Sequence, residues 1–189
     1  LEECEGDLLV TAITHEKRIP IAVASAVHTD DSCEIKIARK EDKILHRICF
    51  ITRQGENFVA EKWVSVLTGQ HHDDPGAEAL KQVREKKQTG YQKMLDEHKA
   101  AWDKLWKHSE VLIKGDDAAM EATNYSLYHL HSIAPRHTGS LSIPARGLSG
   151  QTYKGAVFWD TEMFMLDFFL MTDPATARTL MRYRIDTLG

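Results

Sequence analysis

The sequence lacks long apolar runs, an excess of positive charge and a dense set of cysteines, and each absence excludes a class of protein. The longest apolar run, Met163 to Met171, is interrupted by Asp167 and is far shorter than the ~20 residues that span a bilayer. We therefore expect no membrane partner. The formal net charge is −4 over 189 residues. Nucleic acid is not an expected partner either, because binding its phosphates requires a concentrated positive field.

The three cysteines, Cys4, Cys33 and Cys49, form no CxxC pair. An odd, sparse set without a signal peptide is more typical of a reducing cytoplasm than of a disulfide scaffold. We therefore predict packing roles for the cysteines and a cytoplasmic location. The chain also starts without methionine and stops directly after a helical pattern, so we expect it to be an internal piece of a longer protein.

The first third of the chain has the pattern of β-strands. Apolar residues alternate with polar ones, or form short Val- and Ala-rich runs, between turn residues. The predicted strands are Asp7 to Ile13, Ile21 to His28, Cys33 to Arg39, Ile44 to Thr52 and Asn57 to Leu67. Strands at this spacing predict an antiparallel sandwich or barrel. Because the first strand has no visible partner upstream, we expect the end of a larger β-domain.

A helical period follows from Ala77 to Glu110, with Gly90 as a bend or break. Trp102 and Trp106 are one turn apart and should share a face, where a core role is expected. The preceding His71-His72-Asp73-Asp74 allows a metal hypothesis. We favour a solvated loop in which Asp73 or Asp74 caps the helix before Pro75, and we predict no metal site.

The rest of the chain predicts successive helices. An extended run at 111 to 115 leads to a helix that Asp116 or Asp117 can cap, and Asp173 can cap a last helix that starts at Pro174. His129 and His131 are two residues apart, so they point in different directions on a helix and cannot pair on zinc. Strands, a helical connector and further helices, without βαβ alternation, indicate an α+β chain.

The segment from Ile143 to Glu162, between the last helices, contains the residues of chemical interest: IPARGLSGQTYKGAVFWDTE. It has no GxGxxG, and Lys154-Gly155 reverses the order of a phosphate-binding loop. An indole such as Trp159 can cover the apolar face of a pyranose, and carboxylates can accept its hydroxyls. The alternative is structural: Asp160 as an N-cap, Glu162 facing the helix dipole and Trp159 in the core.

The run Phe158-Trp159-Asp160-Thr161-Glu162, following this glycine-rich loop, resembles the signature of glycoside hydrolase family 65. The resemblance implies the end of an N-terminal antiparallel β-sandwich at 1–68, a helical linker at 69–110 and the first helices of an (α/α)6 barrel at 111–189. It implies that Trp159 and Asp160 bind sugar. Thr161 and Glu162 are weaker candidates, and Lys154 and Tyr153 are possible residues of the pocket wall.

The resemblance also implies that the general acid, a glutamate, and the phosphate-binding residues lie beyond this chain, so no catalytic residue is expected here. The expected activity is that of an inverting phosphorylase, with kojibiose favoured over nigerose, trehalose and maltose. Inorganic phosphate would be a co-substrate and no cofactor is expected; a homodimer is a weaker implication. The alternatives are a family 65 hydrolase and a carbohydrate-binding or structural fragment without activity.

Overall fold

A computed structural model describes residues 1–29, 33–147 and 152–188. The chain forms two compact units, Leu1–His98 and Lys99–Gly189, and each is described by itself. The first unit is built mainly of strands and the second of helices. The predicted α+β composition is therefore confirmed.

The described residues of unit 1 form two antiparallel sheets, one with the strand order β1-β2-β3-β6 and one formed by β4 and β5. The strands are β1 Glu2–Cys4, β2 Asp7–Ile13, β3 Pro20–Thr29, β4 Glu34–Lys40, β5 Lys43–Cys49 and β6 Ala60–Thr68. All five predicted strands are present. The prediction was wrong in starting the last strand at Asn57, in extending the fourth to Thr52, and in giving the first strand no earlier partner, because Glu2–Cys4 pairs with it.

The core of unit 1 is a strip of alanines on β3 against which a helix packs. Ala22, Ala24 and Ala26 have no exposed surface, and they cluster with Ala79 and Val83 of the first helix. A methyl group is small enough to let the helix backbone lie close to the sheet. Since protein interiors are close-packed, little room remains here for a larger side chain.

A partly buried ion pair joins that helix to the sheet. Arg84 Nε donates to Asp7 Oδ2 at 2.9 Å, and Arg84 Nη2 donates to the Cys4 carbonyl at 2.9 Å. Only 7% of the Asp7 surface is exposed. The pKa of Arg84 is raised, first by its hydrogen bond to Asp7 and then by nearby negative charge, against the opposing effect of burial.

The long helices begin and end largely where the sequence predicts. They are α1 Pro75–Thr89, α2 Tyr91–Ser109, α3 Asp117–Ile133, α4 Leu166–Thr172 and α5 Pro174–Thr187. Asp74, Asp116 and Asp173 each cap a helix by accepting a backbone N–H. Gly90 separates α1 from α2 with a φ of 82°, which a residue without Cβ adopts readily.

The cysteines are all free thiols. Cys4 packs against the alanine strip, and the Cys33 thiol lies 2.9 Å from the Thr29 hydroxyl. Cys49 is exposed. The predicted packing role is therefore wrong for Cys49, which stands at the end of the two-stranded sheet.

Unit 2 has a small core formed where α4 and α5 meet the loop after α3. Its buried members are Ala134, Ile143, Phe169, Ala177 and Leu180. Ile143 and Phe169 are fully buried. The loop residue Ile143 therefore fixes the start of the segment singled out in the sequence.

Enlarging the alanine strip should destabilise unit 1. We expect Ala24→Leu to lower the free energy of unfolding by about 1–3 kcal/mol, because extra methylenes overfill a packed interface. Urea unfolding followed by far-UV circular dichroism measures the change. Ala12→Leu on the exposed part of β2 is the matched control, with an expected change within about 0.5 kcal/mol. Equal effects of the two substitutions would contradict the close packing.

Candidate functional site

The loop that approaches the FWDTE segment contains a turn with a left-handed backbone. Tyr153 and Lys154 have φ values of 63° and 50°, followed by Gly155 at 77°. Two successive non-glycine residues in this region are strained, and such strain is concentrated at functional sites. Lys154 is exposed. Predictions that fall on Leu148 to Gln151 lie outside the described residues.

Two backbone hydrogen bonds hold this turn. The Ala156 amide donates to the Tyr153 carbonyl at 2.8 Å, and the Ala145 amide donates to the Ala156 carbonyl at 3.2 Å. The Tyr153 ring meets the Phe158 ring edge to face, with 5.4 Å between centroids. The turn is therefore tied both to the start of the loop and to the residue before Trp159.

Asp160 does not cap the helix that follows it. Its backbone is already helical, with φ −55° and ψ −35°, and its side chain makes no capping hydrogen bond. The alternative role of Asp160 as an N-cap is therefore wrong. The carboxylate is partly buried, and no hydrogen-bond or ion-pair partner for it is found among residues 1–29, 33–147 and 152–188.

Trp159 presents its indole to solvent. Its exposed fraction is 62%, against 40% for Phe158. Within this chain Trp159 is therefore not a core residue, contrary to the structural alternative. Trp159 and the Asp160 that follows it, whose carboxylate has no partner among the described residues, offer an apolar face and a hydrogen-bond acceptor, the two features that bind a pyranose.

The helix begins with a π turn over Thr161–Met165, where the Leu166 amide bonds to the Thr161 carbonyl. π turns are rare in proteins, and those that occur are often found at functional sites. Thr161 is 1% exposed, and its Oγ1 donates to the Ile143 carbonyl at 2.9 Å. Because Ile143 is fully buried, this bond anchors the start of the π turn to the core.

Glu162 is engaged by Arg184 of α5 through both carboxylate oxygens. Arg184 Nε lies 2.9 Å from Oε1 and Nη2 lies 2.8 Å from Oε2. The pKa of Arg184 is raised, first by its hydrogen bond to Glu162. Arg184 Nη2 also donates to the Phe158 carbonyl. Sequence reasoning missed Arg184, which has no motif around it and is 22 residues from Glu162.

A second polar cluster that the sequence did not indicate surrounds His131, which is 3% exposed. Arg136 Nη2 lies 2.9 Å from His131 Nδ1, and Ser109 Oγ lies 2.8 Å from Nε2. Arginine only donates, so Nδ1 accepts and Nε2–H donates to Ser109. Ser109 Oγ in turn donates to the Leu105 carbonyl at 2.9 Å. Neutral His131 is thus fully hydrogen-bonded.

The surroundings of His131 lower the pKa of His131 and also that of Asp173. Burial, followed by the positive charge of Arg136, lowers the pKa of His131, and the carboxylate of Asp173 only partly offsets this. Burial of Asp173 opposes its ionisation, but hydrogen bonds from Thr176 and Arg136 outweigh burial and lower its pKa. The cluster therefore favours neutral His131 beside an ionised Asp173–Arg136 pair.

Aromatic rings enclose this cluster. Trp102 stacks on Tyr128 with 5.0 Å between centroids, and it meets Trp106 at 6.1 Å on the same helix face. Both indoles approach the His131 ring edge on. The shared face predicted for the two tryptophans is confirmed, and it packs against α3 rather than forming an open platform.

The described ranges contain no group of three or more residues arranged to hold a metal ion. In the loop before α1, Asp74 Oδ1 accepts the Ala77 amide at 2.9 Å, which is the capping role.

In those same ranges no helix is long and apolar enough to cross a membrane. His129 packs against Tyr125 at 4.3 Å, away from the hydrogen bonds of His131.

Two family models match the chain and together cover most of it. The N-terminal domain of glycosyl hydrolase family 65 matches residues 1–105. The central catalytic domain of the same family matches residues 124–189. The chain therefore belongs to glycosyl hydrolase family 65.

Curated relatives are named for disaccharide phosphorolysis and, in one case, for hydrolysis. The nigerose phosphorylase of Lachnoclostridium phytofermentans is 50% identical over 96% of this chain and 24% of its own length. The kojibiose phosphorylase of Escherichia coli is 32% identical over 90% of this chain and 23% of its length. The kojibiose hydrolase of Flavobacterium johnsoniae is 31% identical over 96% and 27%.

A solved structure from the human microbiome, provisionally named a kojibiose phosphorylase, has the same fold. Its TM-score is 0.82 at 19% identity, covering 99% of this chain and 25% of that one. The chain thus spans about a quarter of the length of these relatives.

The depressed pKa of His131 should make stability depend on pH. The unfolded chain binds a proton near the ordinary value of 6.5, whereas folded His131 stays neutral to lower pH. Its contribution is therefore complete above pH 6.5 and is lost as the pH falls below that value toward the folded pKa. The Asp173 contribution is lost only below its ordinary value of 3.8, so its loss begins at a lower pH than that of His131.

We expect the urea concentration at the unfolding midpoint to decrease when the pH is lowered from about 7 to about 5. The decrease should be smaller in His131→Gln, which cannot take up this proton. His108→Gln, at an exposed histidine of α2, is the control and should keep the slope of the unmodified chain. If His131→Gln leaves the change of the urea midpoint with pH unaltered, the pH dependence of stability belongs to other groups.

Proposed function

We propose that this chain supplies part of the glucose subsite of an inverting α-glucoside phosphorylase. The observation that supports the proposal most is Asp160, a partly buried residue whose side chain makes no capping bond and which directly follows the exposed Trp159 in the chain. In the proposed site the indole covers one face of the glucosyl ring and Asp160 accepts its hydroxyls. Lys154 and Tyr153 would stand at the wall of the pocket.

Thr161 and Glu162 receive indirect roles in this proposal. The Thr161 hydroxyl already donates to Ile143, and both Glu162 oxygens already accept from Arg184. Both carboxylate oxygens of Glu162 are thus occupied by N–H donors of Arg184 and are not free to contact a leaving group. Glu162 is therefore poorly suited to act as the general acid, and we place that acid, with the phosphate-binding residues, in a part of the enzyme beyond this chain.

The reaction requires only one carboxylic acid because the nucleophile is already anionic. An inverting hydrolase uses a second carboxylate to activate water. In phosphorolysis, an oxygen of inorganic phosphate attacks the anomeric carbon as the glycosidic bond breaks, and the acid protonates the leaving oxygen. The products are β-glucose 1-phosphate and glucose. Asp160 would contribute by fixing the glucosyl ring in the reactive geometry, and no cofactor enters the proposal.

The proposed architecture assigns 1–68 to the end of a β-sandwich, 69–110 to a helical linker and 111–189 to the first helices of an (α/α)6 barrel. Matches to an N-terminal and a central catalytic domain support this order. A cytoplasmic location and a homodimer remain predictions of the same proposal.

The substrate class is an α-linked glucose disaccharide. The sequence favoured kojibiose, and the Escherichia coli relative is named for that sugar. The relative with 50% identity is named for nigerose, so both disaccharides are primary candidates. A second candidate activity is hydrolysis, which the name of the Flavobacterium johnsoniae relative supports.

Asp160→Asn in a full-length enzyme carrying this chain should reduce turnover severely without loss of fold. The amide keeps the shape of the side chain but loses the charge that strengthens hydrogen bonds from the sugar, and we expect kcat/KM to fall about 100-fold or more. The assay follows glucose 1-phosphate released from kojibiose, nigerose, maltose and trehalose, with and without phosphate.

Asp167→Asn is the matched control, because Asp167 lies exposed on α4. It should leave the rate within about twofold and the thermal midpoint unchanged. An unchanged rate in Asp160→Asn would remove Asp160 from the sugar site. Release of free glucose without phosphate would favour the hydrolase.

The 189-residue chain alone should show no turnover. The proposal places the acid and the phosphate site elsewhere, and positioning alone cannot protonate the leaving oxygen. The measurement is glucose 1-phosphate formation by the purified chain at high concentration, compared with the full-length enzyme. Turnover by the chain that Glu162→Gln abolishes would instead identify Glu162 as the acid.

A further inference from the structure

Arg184 contacts both ends of the short segment that contains Trp159 and Asp160. Its guanidinium donates to the Phe158 carbonyl on one side and to both carboxylate oxygens of Glu162 on the other. Its side chain is 28% exposed and that of Glu162 is 23% exposed. A partly shielded, bidentate arginine–carboxylate pair is stronger and more directional than an open surface pair.

The segment needs external support because its local geometry is unusual. The π turn at Thr161–Met165 replaces the ordinary helical hydrogen bonds with a wider loop. The Thr161–Ile143 hydrogen bond restrains the turn from the core side. Without Arg184, the described contacts that tie residues 158–162 to other parts of the chain would be the Thr161–Ile143 hydrogen bond and the Tyr153–Phe158 ring contact, besides the backbone hydrogen bonds of the helix itself.

The guanidinium is well matched to this task. Its planar fork can satisfy two carboxylate oxygens and one carbonyl at fixed angles, which the single ammonium of lysine cannot do. Arg184 also stands on α5, whose N-terminal half packs Ala177 and Leu180 into the core of unit 2. Helix α5 therefore holds the Arg184 guanidinium in place, and the guanidinium in turn restrains residues 158–162.

We propose that Arg184 is a positioning residue that fixes the Trp159–Asp160 pair in its sugar-binding geometry. The role in sugar binding rests on the proposed function, whereas the restraint of the π turn does not. Glu162 is the partner through which Arg184 acts, and the Phe158 carbonyl is the second point of attachment.

The first test measures the restraint itself and needs no activity. In the full-length protein, Arg184→Gln should speed hydrogen exchange at the amides of residues 158–166 and leave those of α1 unchanged, because local opening becomes easier. Arg178→Gln is the control, since Arg178 lies exposed on the same helix. Unchanged exchange in Arg184→Gln would overturn the proposal.

The second test measures the consequence for the sugar. We expect Arg184→Gln to lower kcat/KM for the disaccharide about 10- to 100-fold, as a small misplacement of a binding group can do, with the KM for phosphate unchanged. Arg184→Lys should be intermediate, and Arg178→Gln should match the unmodified enzyme. Glu162→Gln combined with Arg184→Gln should cost little more than either alone.

The outcomes separate the two claims. Faster exchange with unchanged sugar kinetics would reduce Arg184 to a structural residue and overturn its positioning role. If Arg184→Gln lowers kcat by the same factor for every substrate while every KM is unchanged, the result would indicate loss of folded enzyme. That outcome would also count against the positioning role. If the unmodified enzyme releases no glucose 1-phosphate, the proposed function fails, and hydrogen exchange still decides whether Arg184 restrains the segment.

Discussion

The hydrogen bond from Thr161 Oγ1 to the Ile143 carbonyl joins the two ends of the loop that leads to the FWDTE segment. It is buried at both partners, so losing it would leave a buried carbonyl unpaired at a cost of about 1–3 kcal/mol. Because the bond fixes Thr161 inward, the neighbouring Asp160 is directed elsewhere. The geometry of the candidate site follows from this one anchored hydroxyl.

Each polar side chain of the segment then has a different use. Thr161 serves the core, Glu162 pairs with Arg184, and Asp160 has neither a cap nor an ion pair in the part of the chain that is described. Because Asp160 is only partly buried, its carboxylate is available to a ligand. The partner we propose is the hydroxyl array of a glucosyl ring, against the exposed face of Trp159.

Sequence patterns predicted those features that depend on neighbours in the chain. Aspartate before proline marked the caps at Asp74 and Asp173, and Gly90 marked the break between α1 and α2. The strand Glu2–Cys4 was missed because three largely acidic residues have no strand period.

Contacts between residues that are far apart in the sequence could not be predicted from such local patterns. Arg184 and Glu162 are 22 residues apart and meet only after α4 and α5 have packed. The capping role that sequence rules allowed for Asp160 was wrong because the Asp160 backbone is itself helical and its side chain makes no capping hydrogen bond. The His131 cluster likewise joins α2, the end of α3 and the cap of α5, and no local motif marks it.

The central claim is that Asp160 and Trp159 bind the glucosyl ring, and a crystal structure of the full-length enzyme with glucose or an unreactive disaccharide tests it directly. We expect a sugar hydroxyl about 2.5–3.0 Å from an Asp160 carboxylate oxygen, with the ring against the Trp159 indole and Glu162 still bound to Arg184. A sugar bound elsewhere, with Asp160 paired to a protein group that this chain does not contain, would contradict it.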